Sequence, residues 1–243
     1  MPLEHPAASE QTDTERTERI LAAARELLLA WGYKRVTVDE IARRARIGKG
    51  TVYLHWKTKD LLFTELLRRE FQEVLEAVTA RIQQDPAAAL PGRLVREVFL
   101  QQTHNPLARA IHAGDSEVLG ALATPASGMP VAQELGFHTL LARLIDVWRE
   151  HGLLTDVASA ADQIYLIDTV LTGFITGGIA VPPREDFSLE HRADLLGHTI
   201  KAALEPSASP PEATLRAAAP HILTALAAAR STLAEVGSRL ASR

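Results

Sequence analysis

No cysteine occurs in the 243 residues, so the chain has neither a disulfide framework nor a thiolate metal site, and a reducing cytoplasm is its natural compartment. A long uncharged apolar stretch is missing too. The most apolar run, 164–181, carries Asp168 and several glycines, which fits a buried helix better than a membrane span. The start lacks the charged-then-apolar order of a signal peptide. Residues 1–12 are polar, hold two prolines and read as a disordered arm. Signatures of catalysis are missing as well: there is no nucleophile elbow, phosphate-binding glycine loop or metal-ligand spacing. His191 and His198 lie seven apart, nearly on one helix face, but no third ligand accompanies them. No segment alternates apolar and polar residues as a half-buried strand would. What is left is an all-α chain with no expected catalytic residue, cofactor, metal or membrane partner.

What the chain does have is concentrated in Thr37 to Leu62. Thr37-Val38-Asp39-Glu40 is a capping box, in which hydroxyl and carboxylate satisfy each other's backbone N–H groups. Val38, Ile41, Ala42 and Ala45 follow as an apolar stripe at helical spacing, with Arg43, Arg44 and Arg46 on the other face. Ile47-Gly48-Lys49-Gly50 breaks the pattern, with glycine expected to supply the angles of a tight turn. A short helix then resumes, with Val52 and Trp56 facing inward and Lys49, Thr51, Tyr53 and His55 outward. Thr58 caps the next helix. Before this unit, Ile20, Ala24, Leu27, Leu28 and Trp31 form one stripe, closed by Gly32. Three short helices around a shared interior, the middle pair joined tightly, form a helix-turn-helix unit, which sets one helix into the DNA major groove.

Charge agrees with this. Residues 13–60 hold 11 Lys and Arg against 7 Asp and Glu, a net of +4, whereas residues 61–243 hold 15 against 21, a net of −6. An acidic chain with one basic end suits a protein that meets phosphate at that end only.

The motif has a specific likeness. Trp31-Gly32-Tyr33, Thr37 with Ile41-Ala42, Gly48-Lys49-Gly50-Thr51-Val52-Tyr53-Leu54-His55-Trp56 and Thr58-Lys59-Asp60-Leu61-Leu62 resemble the N-terminal domain of the TetR family of transcriptional regulators, over about a fifth of the chain. Gly48 departs from the family's common capping serine, and Trp56 from its common phenylalanine. The resemblance implies a homodimeric, ligand-responsive repressor that reads palindromic double-stranded DNA. It also implies that Thr37, Tyr53, His55 and Lys59 grip phosphates, while Arg43, Arg44, Lys49, Gly50 and Thr51 lie nearer the base edges.

Beyond residue 60 the chain reads as helix after helix. Phe63, Leu67, Phe71, Val74, Val78 and Ile82 mark a long linking helix that Asp85-Pro86 ends. Further helices are expected over Leu90–Gln102, Asn105–Ala113 and Val131–His151, with a loop at 124–130. A small-molecule chamber in this region would be mostly apolar with a few polar handles. Its candidates are Phe99, His104, His112, Phe137, Trp148 and Tyr165, and a hydrophobic or amphipathic effector would suit them. The helix Ala160–Ala180 is apolar on one side and small on another, through Gly173, Thr176, Gly177 and Ala180. With Leu196 and Ile200 of the next helix, these residues are the expected dimer interface, the place the family gives to its last two body helices. Finally, Glu205–Pro211 is a Pro/Ser linker, and Leu215, Ala219, Ile222, Leu226, Ala229, Leu233, Val236 and Leu240 recur in alternating steps of four and three. Pro220 should start or kink that helix. It is expected to pack along the dimer bundle or to cover the ligand chamber. The chain thus divides into an arm (1–12), a helix-turn-helix domain (13–60), a ligand-binding and dimerisation domain (61–204), and a linker with an extra helix (205–243). A helical scaffold protein without specific DNA binding is the competing reading.

Overall fold

A computed structural model of the chain describes residues 6–123, 135–156, 158–180 and 187–241. All regular structure among the described residues is helical. Helix α1 (Pro6–Trp31) leads into the short pair α2 (Val38–Ala45) and α3 (Lys49–His55), and α4 (Lys59–Gln84) runs on into the body. The body comprises α5 (Pro91–His104), α6 (Pro106–Ala113), α7 (Ser116–Leu119), α8 (Phe137–Glu150), α9 (Ala160–Ala180), α10 (Leu189–Leu204) and α11 (Glu212–Ala241). Two 3-10 turns, Pro86–Ala89 and Gly120–Leu122, sit between them.

Several boundaries differ from the sequence expectation. Helix α1 starts at Pro6, inside the stretch read as an arm, because proline is tolerated at the first helical position and no breaker follows it. Of the helix expected over 131–151, residues 131–134 lie outside the described ones, and α8 begins at Phe137 after Gly136, which holds a left-handed φ of 84°. The expected loop 124–130 lies outside the described residues. The left-handed residue between α2 and α3 is Arg46 (φ 57°, ψ 47°), whereas Gly48 is extended at φ −72°. Arg46 therefore carries the turn, with its N–H donating to the carbonyls of Ala42 and Arg43.

In the N-terminal domain Ile20, Ala24, Leu27, Leu28, Val38, Ile41, Ala42, Ala45, Val52 and Trp56 are buried together, as their spacing requires. Trp31 is the exception, at 38% exposed. In the body α5 and α10 form the most extensive helix pair. They approach so closely because both crossing residues are glycines: a Cβ on Gly92 would lie 2.5 Å from the Gly197 carbonyl oxygen. The Glu205 carboxylate, at the end of α10, accepts the Gly92 N–H at 2.7 Å.

The tail helix α11 packs chiefly on α4, α8 and the 86–89 turn rather than on α9 and α10, so it does not join the expected bundle. It runs antiparallel to α4, since Arg230 pairs with Glu76 (3.5 Å) and Gly237 lies against Arg68. Ala218, Ala219, Ile222, Ala225, Leu226 and Leu233 are its buried face. Pro220 sits inside the helix on its exposed side. The side chain of Leu240, last in the expected seam, lies outside the described ones.

Candidate nucleic-acid interface

The capping box that opens α2 is formed. The Thr37 hydroxyl accepts the Glu40 N–H at 3.3 Å, and the Glu40 carboxylate accepts the Thr37 N–H at 3.0 Å. With Val38, Ile41, Ala42 and Ala45 committed to the interior, α2 presents Arg43 and Arg44 outward. Arg44 is held by a two-pronged ion pair to Glu26 of α1, one arm at 2.8 Å. Arg43 is exposed and makes no ion pair with another described residue.

Helix α3 has Gly48 as its N-cap, without a side-chain bond, and buries Val52. Its outer surface carries Lys49, Gly50, Tyr53 and Leu54. The Lys49 ammonium bonds Asp39 at 2.8 Å, and that hydrogen bond together with the carboxylate's charge raises its pKa. Tyr53 is 38% exposed. A Cβ on Gly50 would meet nothing within 4 Å, so no packing inside the protein demands glycine there. Thr51 is only half exposed.

Two expected phosphate ligands are placed differently. His55 turns back toward α1, with Nδ1 3.5 Å from the Thr17 hydroxyl and Nε2 3.5 Å from Asp13, and its ring tilts against Trp56. In a helix of 100° per residue, His55 lies beside the buried Val52–Trp56 face, whereas Leu54 lies opposite it. Lys59 donates to the carbonyls of Tyr33 (2.8 Å) and Val36 (3.0 Å) and sits 3.9 Å above the Tyr33 ring. Burial lowers its pKa. Tyr33, which the sequence marks only as part of its motif, is the hub of this joint. Its hydroxyl donates to Asp60, its ring meets Phe63 edge-on at 5.4 Å, and its N–H donates to Val118 of α7 at 2.9 Å. Burial first, then the Asp60 bond, pushes its pKa far up.

A second joint ties the head to the body. The buried carboxylate of Glu70 accepts from Arg25 of α1 (2.8 Å) and from the Asn105 amide (2.5 Å), while Asn105 caps α6.

Of the six chamber candidates, two share a cavity. His112 and Phe137 line a void of about 20 Å³ with Phe71, Val74, Gln102, Ala108, Ile111 and Leu135. That volume has room for about one water. Phe99 and Trp148 are wholly buried, and the Trp148 indole donates to the Ala89 carbonyl at 2.8 Å. His104 is exposed, and Tyr165 is 74% exposed on the outside of α9. His112 Nε2 lies 3.0 Å from the Thr172 hydroxyl and Nδ1 3.4 Å from the Gln102 amide, whose oxygen has no partner among the described residues.

Burial, only partly offset by Asp168, pushes the His112 pKa down to about 4. Folding therefore holds this ring neutral while the unfolded chain protonates it near 6.5. Its contribution is fully present above that pH and lost as pH falls toward 4. We expect a loss on the order of 3 kcal/mol across this window, read by urea unfolding at several pH values. His112→Gln should flatten the profile by that amount whatever its effect at pH 7; an unchanged profile would assign the pH dependence elsewhere.

The expected dimer residues also separate. Gly173 is exposed, Thr176 and Gly177 are partly so, and a Cβ on either glycine would meet nothing within 4 Å. Leu196 and Ile200 are fully buried, on the side of α10 that packs within the protomer. Leu195, 41% exposed, is on the outer side of α10. The Ala180 side chain lies outside the described ones.

The fold and this interface define a helix-turn-helix protein with a helical body. Residues 20–66 match the family described as bacterial regulatory proteins, tetR family, so the N-terminal domain is similar to that of these transcriptional regulators, a family of regulators rather than enzymes. It is 42% identical over 53 residues to the HTH-type transcriptional regulator QacR of Staphylococcus aureus, covering 22% of this chain and 28% of that protein. The chain thus spans under a third of that relative's length, and the likeness speaks for the N-terminal domain. The putative transcriptional regulator SCO4942 from Streptomyces coelicolor superposes with a TM-score of 0.57 at 25% identity, over 78% of this chain and 98% of that one. SmeT, the repressor of the Stenotrophomonas maltophilia multidrug efflux pump SmeDEF, shares the fold at 21% identity and a TM-score of 0.57, over 81% and 94%. Among the described residues no helix is long and apolar enough to cross a membrane.

Proposed function

We propose that this chain is a cytoplasmic, sequence-specific repressor that binds a palindromic DNA operator as a homodimer and is released by a small hydrophobic or amphipathic effector. The observation that carries the reading is the two-sided build of α3: Val52 is sunk in the domain while Lys49, Gly50 and Tyr53 stand clear of it. Helix α3 enters the major groove, with Lys49, Gly50, Thr51 and Arg43 toward base edges and Thr37 and Tyr53 on phosphates. Arg44 approaches the bases once it leaves Glu26. His55 and Lys59 chiefly seat the helix, and Lys59 keeps one N–H for a phosphate.

Dimerisation uses the outer faces of α9 and α10, where Gly173 and Gly177 allow close approach beside exposed Tyr165 and Leu195. The effector enters beside His112 and Phe137. Because the void there holds about 20 Å³, a ligand must push the surrounding helices apart. That expansion alters the spacing of the two reading heads, so effector and operator oppose each other by linkage.

The test is selection of bound duplexes from a random pool at near-physiological salt, with Tyr53→Ala beside the parent. A palindrome recovered by the parent and lost by the variant is expected, with affinity falling steeply as salt rises. If protein refolded from denaturant, and so stripped of ligand, still recovers no sequence, the scaffold reading replaces this one.

A further inference from the structure

We infer that Leu54 is a specificity-determining residue that reads the 5-methyl group of a thymine in each operator half-site, an inference that rests on the DNA-reading role proposed above. Leu54 is 76% exposed, the most exposed of the large apolar side chains among the described residues. Singly exposed leucines are ordinary on protein surfaces. This one stands on a seven-residue helix whose Val52, with the C-cap Trp56, is buried, and its neighbour Tyr53 is 38% exposed. Its position also matters: one helical turn after Gly50, Leu54 shares a face with it, opposite Val52.

Gly50 supplies the second observation. Gly50 is the second residue of α3, and nothing within 4 Å of its Cβ position inside the protein requires glycine there. A bare step next to an apolar knob therefore has a use only toward something outside the protein. Gly50 lets the helix backbone approach closely, and Leu54 then reaches the floor of whatever it approaches. Basic side chains flank this face, with Lys49 before it and Lys57 after it, both exposed. An anionic groove with an apolar point on its floor satisfies both features. In the major groove that point is the thymine methyl, the one apolar group that base edges present there.

The experiment takes the operator recovered by selection and replaces each thymine in turn, in both half-sites, by deoxyuridine, which lacks the methyl but pairs unchanged. Burying one CH₂ is worth about 0.8 kcal/mol, or roughly fourfold, so two half-sites give about fifteenfold. The parent is expected to lose about fifteenfold at one symmetric thymine position. Leu54→Ala should bind the natural operator about as weakly as the parent binds that deoxyuridine duplex, and should be indifferent to the replacement. Its fold is not at stake, because the side chain is mostly in solvent. A parent insensitive to every replacement, an operator with no thymine in the half-sites, or an alanine variant as sensitive as the parent would each overturn the inference. Those results leave DNA reading intact, whereas failure of the parent to select any sequence removes the reading and this inference together.

Discussion

A chain ending at Pro211, without helix α11, is expected to lose about 5 kcal/mol of stability and to aggregate at concentrations the full chain tolerates. Ile222, Leu226 and Leu233 are all but wholly buried, each worth about 1.5–3 kcal/mol by area. Without α11, α4 and α8 would show water the apolar faces it covers. The loss is a large share of the 5–15 kcal/mol by which domains are stable. Glu205 must be retained, since its carboxylate caps Gly92 at the α5–α10 crossing and removing it would confuse two effects. Leu226→Ala and Leu233→Ala in the full chain are the milder companions, at about 3 kcal/mol each. Urea unfolding and light scattering read the outcome, and an unaltered midpoint in the shortened chain would make α11 a mere appendage. Its reach gives the result functional weight. From Glu212 to Gly237 the helix spans about 38 Å, first along the 86–89 turn and then beside the C-terminal part of α4 as far as Arg68. Its far end faces Thr17, His55 and Trp56 across a cleft of about 500 Å³. The tail thus covers α4, the helix that carries the head, up to the edge of that cleft.

The N-terminal domain is legible in the sequence because its signals are local. A capping box and a stripe at helical spacing involve neighbours a few positions apart, and both appear in the structure, whereas the break expected over Ile47–Gly50 falls at 46–48, with Lys49 and Gly50 already helical. What the sequence leaves open is which element covers an apolar or polar face once the helix exists. Leu196 and Ile200 form a sound stripe, but the stripe meets α5 inside the protomer, so it cannot by itself identify a dimer surface. Trp148 has the character of a chamber wall until the Ala89 carbonyl supplies its indole with a partner 59 residues away. Lys59 has the character of a phosphate ligand because nothing in the sequence announces that two carbonyls from 33–36 converge on it. The placement of His55 and Leu54 is within reach of the sequence: taking alternate residues as outward suits a strand, whereas a 100° step exchanges their roles. The α11 seam is a buried face, as its spacing implies, yet heptad spacing alone does not name its partner, α4.

Gly32→Ala is expected to cost about 4 kcal/mol and to blur operator choice, because Gly32 is where the head meets α7. Its φ of 71° already penalises any other residue by about 1–2 kcal/mol. The further cost is spatial. A Cβ there would lie 2.4 Å from the Glu117 carbonyl oxygen, a backbone atom that cannot swing aside as a side chain can. Helix α7 must retreat, and with it go the Tyr33 N–H bond to Val118 and the contact of Gly120 with the Tyr33 ring, 3.1 Å from a Cβ there. Gly114→Ala is the control. Gly114 has φ 61° but open space around it, so it should show the backbone penalty alone. The difference between the two variants, about 2 kcal/mol or more, measures the joint. Loosening the joint does not touch α3, so Gly32→Ala should keep the parent's salt-dependent binding to arbitrary duplex. It should lose discrimination between the selected palindrome and that duplex, since a palindrome is read only when two heads are held at one spacing. Equal losses on both duplexes would mean that the head itself had unfolded. Equal stability of the Gly32 and Gly114 variants would mean that α7 yields freely and does not set the head's position.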